Sequence, residues 1–273
     1  MQRYKAEVEY VGTGYAGMQK QELYPTIQGA IEKALSEFTL GIVDVIDYCG
    51  RTDSGVHAFA QVIHFDIPID SKTERNILLG INFFLRKNGE RIALKNVEKV
   101  PENFHSRFWC HAREYKYYIY NALHRSPVFE GRMHYVERNI DVQKMQDSAN
   151  FLLGTHDFSS FRTKGCQASS PIKTIDFIKI KKITQEIIEI HIGARSFLYR
   201  MVRNITGALI YSGIGKFEPE FIKEILEKKD ISFLPYTAPA CGLYFFKAHY
   251  KIYKKNNDEN QESPMKSKEI LQN

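Results

Sequence analysis

The sequence predicts an α+β protein built from two tandem ferredoxin-like (split βαβ) units with largely antiparallel sheets. Three observations carry that expectation. Strand-like and helix-like segments follow the order β-α-β-β-α-β through the N-terminal part of the chain. The same order recurs between Glu114 and Tyr250, although no sequence identity between the halves is visible. With 273 residues, 43% of them apolar, the chain can bury the core of one large domain or two small ones. The expected units are residues 1–104 and 105–253, followed by a tail over 254–273. Two such units can align their sheets and leave a cleft between them.

Tyr4 to Val11 reads as the first strand, with partial alternation. Thr26 can cap a helix from Ile27 to about Leu40, with Ile27, Ala30, Ile31, Ala34, Leu35 and Phe38 on one face. Val45 to Cys49 and Gln61 to Asp66 read as strands around a glycine-flanked loop. Thr73 to Leu85 is the second helical stretch, and Arg91 to Val100 the strand that closes the unit. In the second unit Glu114 to Asn121 is a strand dense in tyrosine. Asp141 can cap a helix that stops near Gly154. Ile172 to Lys181 and Glu186 to Ile192 are β-rich and split by a polar turn. Leu198 to Tyr211 is an apolar helical stretch carrying Arg200 and Arg203, which at i and i+3 can share a face. Glu218 to Lys228 adds a short amphipathic helix, and Leu243 to Tyr250 closes the unit. Beyond Lys254, Lys, Asn, Glu, Gln and Ser dominate, a composition that predicts disorder.

A net charge of +6 is compatible with a polyanionic partner without being diagnostic. The abundant aromatics, 16 Tyr and 18 Phe, suit both a core and base stacking. Cys49, Cys110, Cys166 and Cys241 form no C-x-x-C pair, which argues against a zinc ribbon or a disulfide scaffold and for a reduced, cytoplasm-like compartment. No secretory segment opens the chain and no apolar run is long enough to cross a membrane.

Gly12-Thr13-Gly14-Tyr15-Ala16-Gly17 satisfies G-x-G-x-x-G after a strand, the pattern of a dinucleotide site. That site needs a helix opening at the third glycine, and here Pro25 precedes the first good helix, so no nucleotide cofactor is expected. Gly215-Lys216 is no P-loop, because Phe217 follows it. His105, Cys110 and His111 lack zinc spacing, so no metal is expected. A Ser54–His57–acid triad has no support in the spacing. What remains is Gly50-Arg51-Thr52-Asp53-Ser54-Gly55-Val56-His57-Ala58, a carboxylate beside an arginine in a tight loop between strands, where reactive groups tend to sit.

That run resembles the catalytic loop of TruA-type tRNA pseudouridine synthases, Gly-Arg-Thr-Asp-x-Gly-Val-His. The resemblance spans about Tyr4 to Tyr250. Ala112-Arg113-Glu114-Tyr115-Lys116-Tyr117 is similar to the family's Arg-x-Tyr-x-Tyr strand. Phe197-Leu198-Tyr199-Arg200-Met201-Val202-Arg203-Asn204 is similar to its Phe-Leu-x-x-Met-Val-Arg-Asn helix start. Ala238-Pro239-Ala240-Cys241-Gly242-Leu243 resembles Ala-Pro-Pro-x-Gly-Leu, with Ala240 for the second proline. The stretch around Tyr15, Gly17 and Gln19 resembles a segment lining the family's RNA cleft, but Val11 replaces an Asp and Met18 a Trp. Gly154 to Phe161 also resembles a family loop, with Phe158 and Phe161 suited to packing.

The resemblance implies the pseudouridine synthase fold with a central RNA-binding cleft. It implies isomerisation of uridine to pseudouridine in the anticodon arm of tRNA, at positions 38, 39 and 40. Asp53 would be the catalytic carboxylate, acting as nucleophile or as a base at the sugar, with attack at C1′, addition at C6 and a glycal route all open. Tyr115 would stack on the base and could relay a proton, and Arg203 would pair with Asp53. A carboxylate in a water-poor cleft tends to become neutral, and a guanidinium beside it keeps it ionised and oriented. Arg51, Tyr115, Leu243, Tyr15 and Gln19 would bind the substrate. Nothing is oxidised and no group is exchanged, so no cofactor is needed. The partners implied are tRNA and a second copy in a homodimer. Two other readings are a non-catalytic RNA-binding protein on the same scaffold and a nucleotide-dependent oxidoreductase built on Gly12 to Gly17.

Overall fold

Each half of the chain builds the strand order of a split βαβ unit. The structure is a computed structural model that describes residues 1–68 and 73–250. The first half contains β1 (Gln2–Tyr10), α1 (Ile27–Phe38), β2 (Asp47–Tyr48), β3 (His57–Ile67), α2 (Glu74–Lys87) and β4 (Ile92–Lys99). β1 lies between β4 and β3, antiparallel to both, and β2 pairs with the far end of β3. The second half contains β5 (Cys110–Asn121), β6 (His134–Val136), α3 (Val142–Asn150), β7 (Gly154–Asp157), β8 (Ile172–Lys182), β9 (Ile187–Ala194), α4 (Met201–Gly213), α5 (Phe221–Lys228) and β10 (Leu243–Tyr250). Here β5 takes the place of β1, flanked by β10 and β9, with β8 outside β9.

The two sets merge into one sheet with the path β4-β1-β3-β10-β5-β9-β8-β7, from which β2 and β6 branch. The join is a short parallel contact, Tyr244 opposite His57 and Phe245 opposite Ala58. It falls where β3 leaves the glycine-flanked loop and β10 begins, so that loop stands at the seam between the halves.

The helices start where the sequence supplies caps. The Thr26 hydroxyl accepts from the Gly29 N–H, and Ile27, Ala30, Ile31, Ala34 and Leu35 are buried on one face of α1. Thr73 caps α2 through the Asn76 N–H, with Glu74 in its first turn and Arg86 and Lys87 in its last, charges that suit the helix dipole. Asp141 caps α3 through the N–H groups of Gln143 and Lys144.

Several expected boundaries move. The strand expected over Val45 to Cys49 is only two residues long, Asp47 and Tyr48, which pair with His64 and Ile63 of β3. The helix after Asp141 ends at Asn150, and Gly154 opens β7 instead of stopping the helix. The helix expected from Leu198 starts at Met201, because Arg200 is left-handed at φ 59°. Arg200 therefore lies just before the helix, yet it and Arg203 both approach the same oxygen of Asp53. β6 and β7 are too short and polar to announce themselves in sequence. The polar tail over 254–273 lies outside the described residues.

Candidate active site

The glycine-flanked loop is fixed from beneath. Tyr10, at the end of β1, shares a buried 2.8 Å hydrogen bond with the Thr52 hydroxyl. Gln61 donates to the Gly50 carbonyl at 2.8 Å, and Met18 N–H to the Thr52 carbonyl at 3.1 Å. Gly17 must be glycine here: its φ is +100°, and a Cβ would sit 2.6 Å from the Thr52 carbonyl oxygen. His57 closes the loop by accepting the Gly12 N–H and facing the Cys241 carbonyl. Burial above all, with Arg132 adding to it, lowers its pKa to about 4, so near neutral pH it is the uncharged bridge this pairing requires.

At the top of this frame Asp53 meets Arg203, 150 residues away in sequence: Arg203 Nη1 donates to Asp53 Oδ2 at 2.9 Å. The pair is mostly enclosed, with side chains 18% and 12% exposed. Arg203 is itself anchored, because its Nε donates to the Ala238 carbonyl at 2.8 Å. That contact depends on Gly207, where a Cβ would strike the Tyr236 carbonyl at 2.1 Å and push the 236–238 segment off α4. Arg200 Nε stands 3.9 Å from the same Asp53 oxygen. Among the described residues Asp53 Oδ1 accepts no hydrogen bond, while Oδ2 accepts from Arg203.

Tyr115 is buried edge-on between Phe197 and Phe245, each ring centre 5.2 Å away. Its phenol is held protonated mainly by burial, with Asp53 among the charges that contribute. Leu243, the first residue of β10, is buried opposite Tyr117. Arg51 is exposed, and its Nη1 donates to Gln167 Oε1 at 2.6 Å across the seam. Asp53, Arg203, Tyr115, Leu243 and Arg51 thus come from four separate stretches of chain.

Tyr15 and Gln19 do not join this group in the same way. Tyr15 is buried and its hydroxyl is directed to Glu90, within the first half. Gln19 is exposed, while Met18 beside it is fully buried, its main chain bridging Thr52 and Gln28. Met18 in the tryptophan place is a core residue here. Sequence reasoning assigned no role to Gln167, whose contact with Arg51 no spacing could reveal, or to Tyr10, which reads as one more strand tyrosine.

A cavity of about 550 Å³ borders the loop at Ser54 and Gly55, but Asp53 does not line it. One group among the described residues has ligand-type atoms within 4.8 Å of one another: Asp47, His64 and His105. Nδ1 of His105 accepts the Arg107 N–H and Nδ1 of His64 faces Ser106, which leaves the proton on Nε2 of each ring. A metal at Nε2 requires the opposite tautomer, so the group reads as a hydrogen-bonded cluster. It lies apart from Asp53.

The family profile described as tRNA pseudouridine synthase matches residues 149–251. The chain is 43% identical over 246 residues to a protein named tRNA pseudouridine synthase A from Buchnera aphidicola subsp. Acyrthosiphon pisum, covering 90% of each chain. A protein of the same name from Buchnera aphidicola subsp. Schizaphis graminum is 44% identical over 245 residues, with 90% of each covered. Another, from Anaplasma phagocytophilum, is 40% identical over 250 residues, covering 91% of this chain and all of its own. Among solved structures, an H/ACA ribonucleoprotein bound to a substrate RNA containing 2′-deoxyuridine aligns with a TM-score of 0.35 and 9% identity, over 74% of this chain and 44% of that one, a likeness too slight to build on.

Proposed function

Because this chain belongs to the tRNA pseudouridine synthase family, we propose that it isomerises uridine to pseudouridine in tRNA, at positions 38, 39 and 40 of the anticodon arm. The observation that carries the chemistry is the enclosed Arg203–Asp53 pair, with one carboxylate oxygen held and the other free. A single carboxylate suits an isomerisation, whereas glycoside hydrolysis ordinarily needs two.

In this reading the target uridine leaves its stack, at a cost of a few kcal/mol, and enters beside Asp53. Arg51, exposed on the same loop, fills the vacated place or holds the backbone. Tyr115 packs on the uracil ring from the β5 side, and Leu243 supplies an apolar wall. Asp53 acts at the sugar through its free oxygen, the C1′–N1 bond breaks, the uracil turns, and C5 joins C1′. Tyr115, whose burial keeps its phenol protonated, cannot act as a free base; it relays instead, giving its own proton up toward N1 as it takes the one that C5 loses. Exposed Lys and Arg side chains meet the phosphates, so affinity falls with salt. The same reading takes residues 1–104 and 105–253 as two units flanking the RNA, and takes the working form as a cytoplasmic homodimer sharing one tRNA. No helix among the described residues is long and apolar enough to cross a membrane.

The test is a set of tRNA transcripts that carry uridine at only one of positions 38, 39 and 40. After incubation with the enzyme, carbodiimide treatment and primer extension report each pseudouridine as a stop. Stops at these positions alone support the reading. A folded protein that binds the transcripts and yields no stop in any of them would return it to the non-catalytic alternative.

A further inference from the structure

We infer that Arg200 is a further catalytic residue, held ready for the negative charge that gathers on the uracil as the C1′–N1 bond breaks. The inference rests on the function proposed above. Three observations point to it. Arg200 is left-handed, at φ 59° and ψ 9°, a backbone state that L side chains adopt at a cost and that clusters at functional sites. Its Nε is buried and has no hydrogen-bond partner, a condition rare for a buried donor. That same nitrogen lies 3.9 Å from Asp53 Oδ2, beyond hydrogen-bond reach, while Arg203 already serves that oxygen at 2.9 Å.

Asp53 therefore has the partner that orients it, and Arg200 is a second cation beside it with an unused donor. Its guanidinium rests over the Tyr199 ring at 5.0 Å, which steadies the plane without consuming an N–H. A sugar carbon placed against Asp53 brings N1 and O2 of its base next to that carboxylate. The phosphates of the same nucleotide lie on the other side of the ribose. A donor this close to Asp53 thus faces the base.

Whatever the fate of the sugar carbon, the electron pair of the C1′–N1 bond leaves with N1 and spreads onto O2 and O4. The Arg200 N–H groups would stabilise that anion while the ring turns. When C5 bonds to C1′ the charge is discharged, the C5 proton is lost and N1 takes one up. The balance is that of an isomerisation and requires no co-reactant.

The test compares wild type with Arg200→Gly and Arg200→Gln in single-turnover conversion of tRNA. Glycine accepts the left-handed backbone, so Arg200→Gly removes the guanidinium while relieving the strain. The expected result is a melting temperature for Arg200→Gly no lower than wild type, with a rate about 10²-fold lower in both variants. The tRNA Kd and its salt dependence should be unchanged. With 5-fluorouridine at the target position, whose base is the more acidic leaving group, the deficit in C1′–N1 cleavage should shrink. Loss confined to Kd and to the salt slope would instead make Arg200 a phosphate contact. Equal deficits on both bases, or variants as fast as wild type, would also overturn the inference. Absence of turnover by wild type itself would sink the proposed function, an outcome distinct from all of these.

Discussion

Replacing Arg203 tests how the site holds its carboxylate. Arg203→Met keeps the stem that packs in α4 and removes two contacts, Nη1 to Asp53 at 2.9 Å and Nε to the Ala238 carbonyl at 2.8 Å. A hydrogen bond involving a charged group is worth about 1.5–3 kcal/mol. The Asp53 side chain is still 18% exposed and Arg200 stands by at 3.9 Å, so each contact should count for less than that range, about 1 kcal/mol, and the two together about 2 kcal/mol. For a chain of this size that lowers the melting temperature by about 4–8 °C. The rate should suffer more, because the carboxylate loses its orientation in the step that matters. About 3 kcal/mol there corresponds to roughly a 10²-fold slower single turnover. Arg203→Lys keeps the charge but offers its donors from one flexible nitrogen instead of arginine's fixed fork across Nε and Nη1, so it should restore most of the stability and only part of the rate. The assay is tritium release from tRNA labelled at uridine C5, with Kd and thermal melts measured alongside. An Arg203→Met rate within threefold of wild type, or a loss lying wholly in Kd, would refute the reasoning.

Three further predictions concern the frame around the pair. Gly17→Ala should cost about 1–3 kcal/mol in backbone strain and displace Thr52 as well, while Gly41→Ala, where φ is +83° and nothing lies within 4 Å, should cost only the strain; equal effects on turnover in the two variants would remove the clash from the account. Tyr115→Phe should bind tRNA normally and release C5 tritium about 10²-fold more slowly, and an unchanged rate would confine Tyr115 to stacking. Burial lowers the pKa of both His57 and His134 to about 4. Above pH ~6.5 folded and unfolded chains both keep these rings neutral, but as pH falls from there to about 4 only the unfolded chain takes the protons. Stability is therefore lost across that window, by about 1.4 kcal/mol per pH unit for each ring. Melting temperatures from pH 7 to 4.5 should show this, and a slope unaltered in His134→Leu would show that His134 is not a source of it.

Much of this molecule was legible because local signals agreed with the global fold. Thr26 and Asp141 read as caps and each caps a helix, whereas Thr73, placed inside the second helical stretch, proves to be its cap. The glycine-flanked loop around Asp53 was legible as a contiguous run of residues with tight backbone demands. What sequence could not show depends on distance along the chain or on one backbone angle. The Arg203–Asp53 contact joins residues 150 apart; no periodicity encodes it, and only the family resemblance pointed to it. The parallel seam of β3 and β10 involves two residue pairs, too few to leave a pattern. Arg200 looked helical because its neighbours are good helix formers, and its left-handed backbone overrides them. Tyr15 and Gly17 fit a cleft-lining stretch equally well in sequence, yet Tyr15 faces Glu90 while Gly17 supports the loop.

The central claim is that Asp53 performs uridine isomerisation in tRNA, and its most direct test sets wild type beside Asp53→Asn. The amide keeps the size of the carboxylate and can still face Arg203, so folding and tRNA binding should persist. The account predicts release of C5 tritium from tRNA by wild type and none by Asp53→Asn at equal occupancy. Release by Asp53→Asn at the wild-type rate would contradict it.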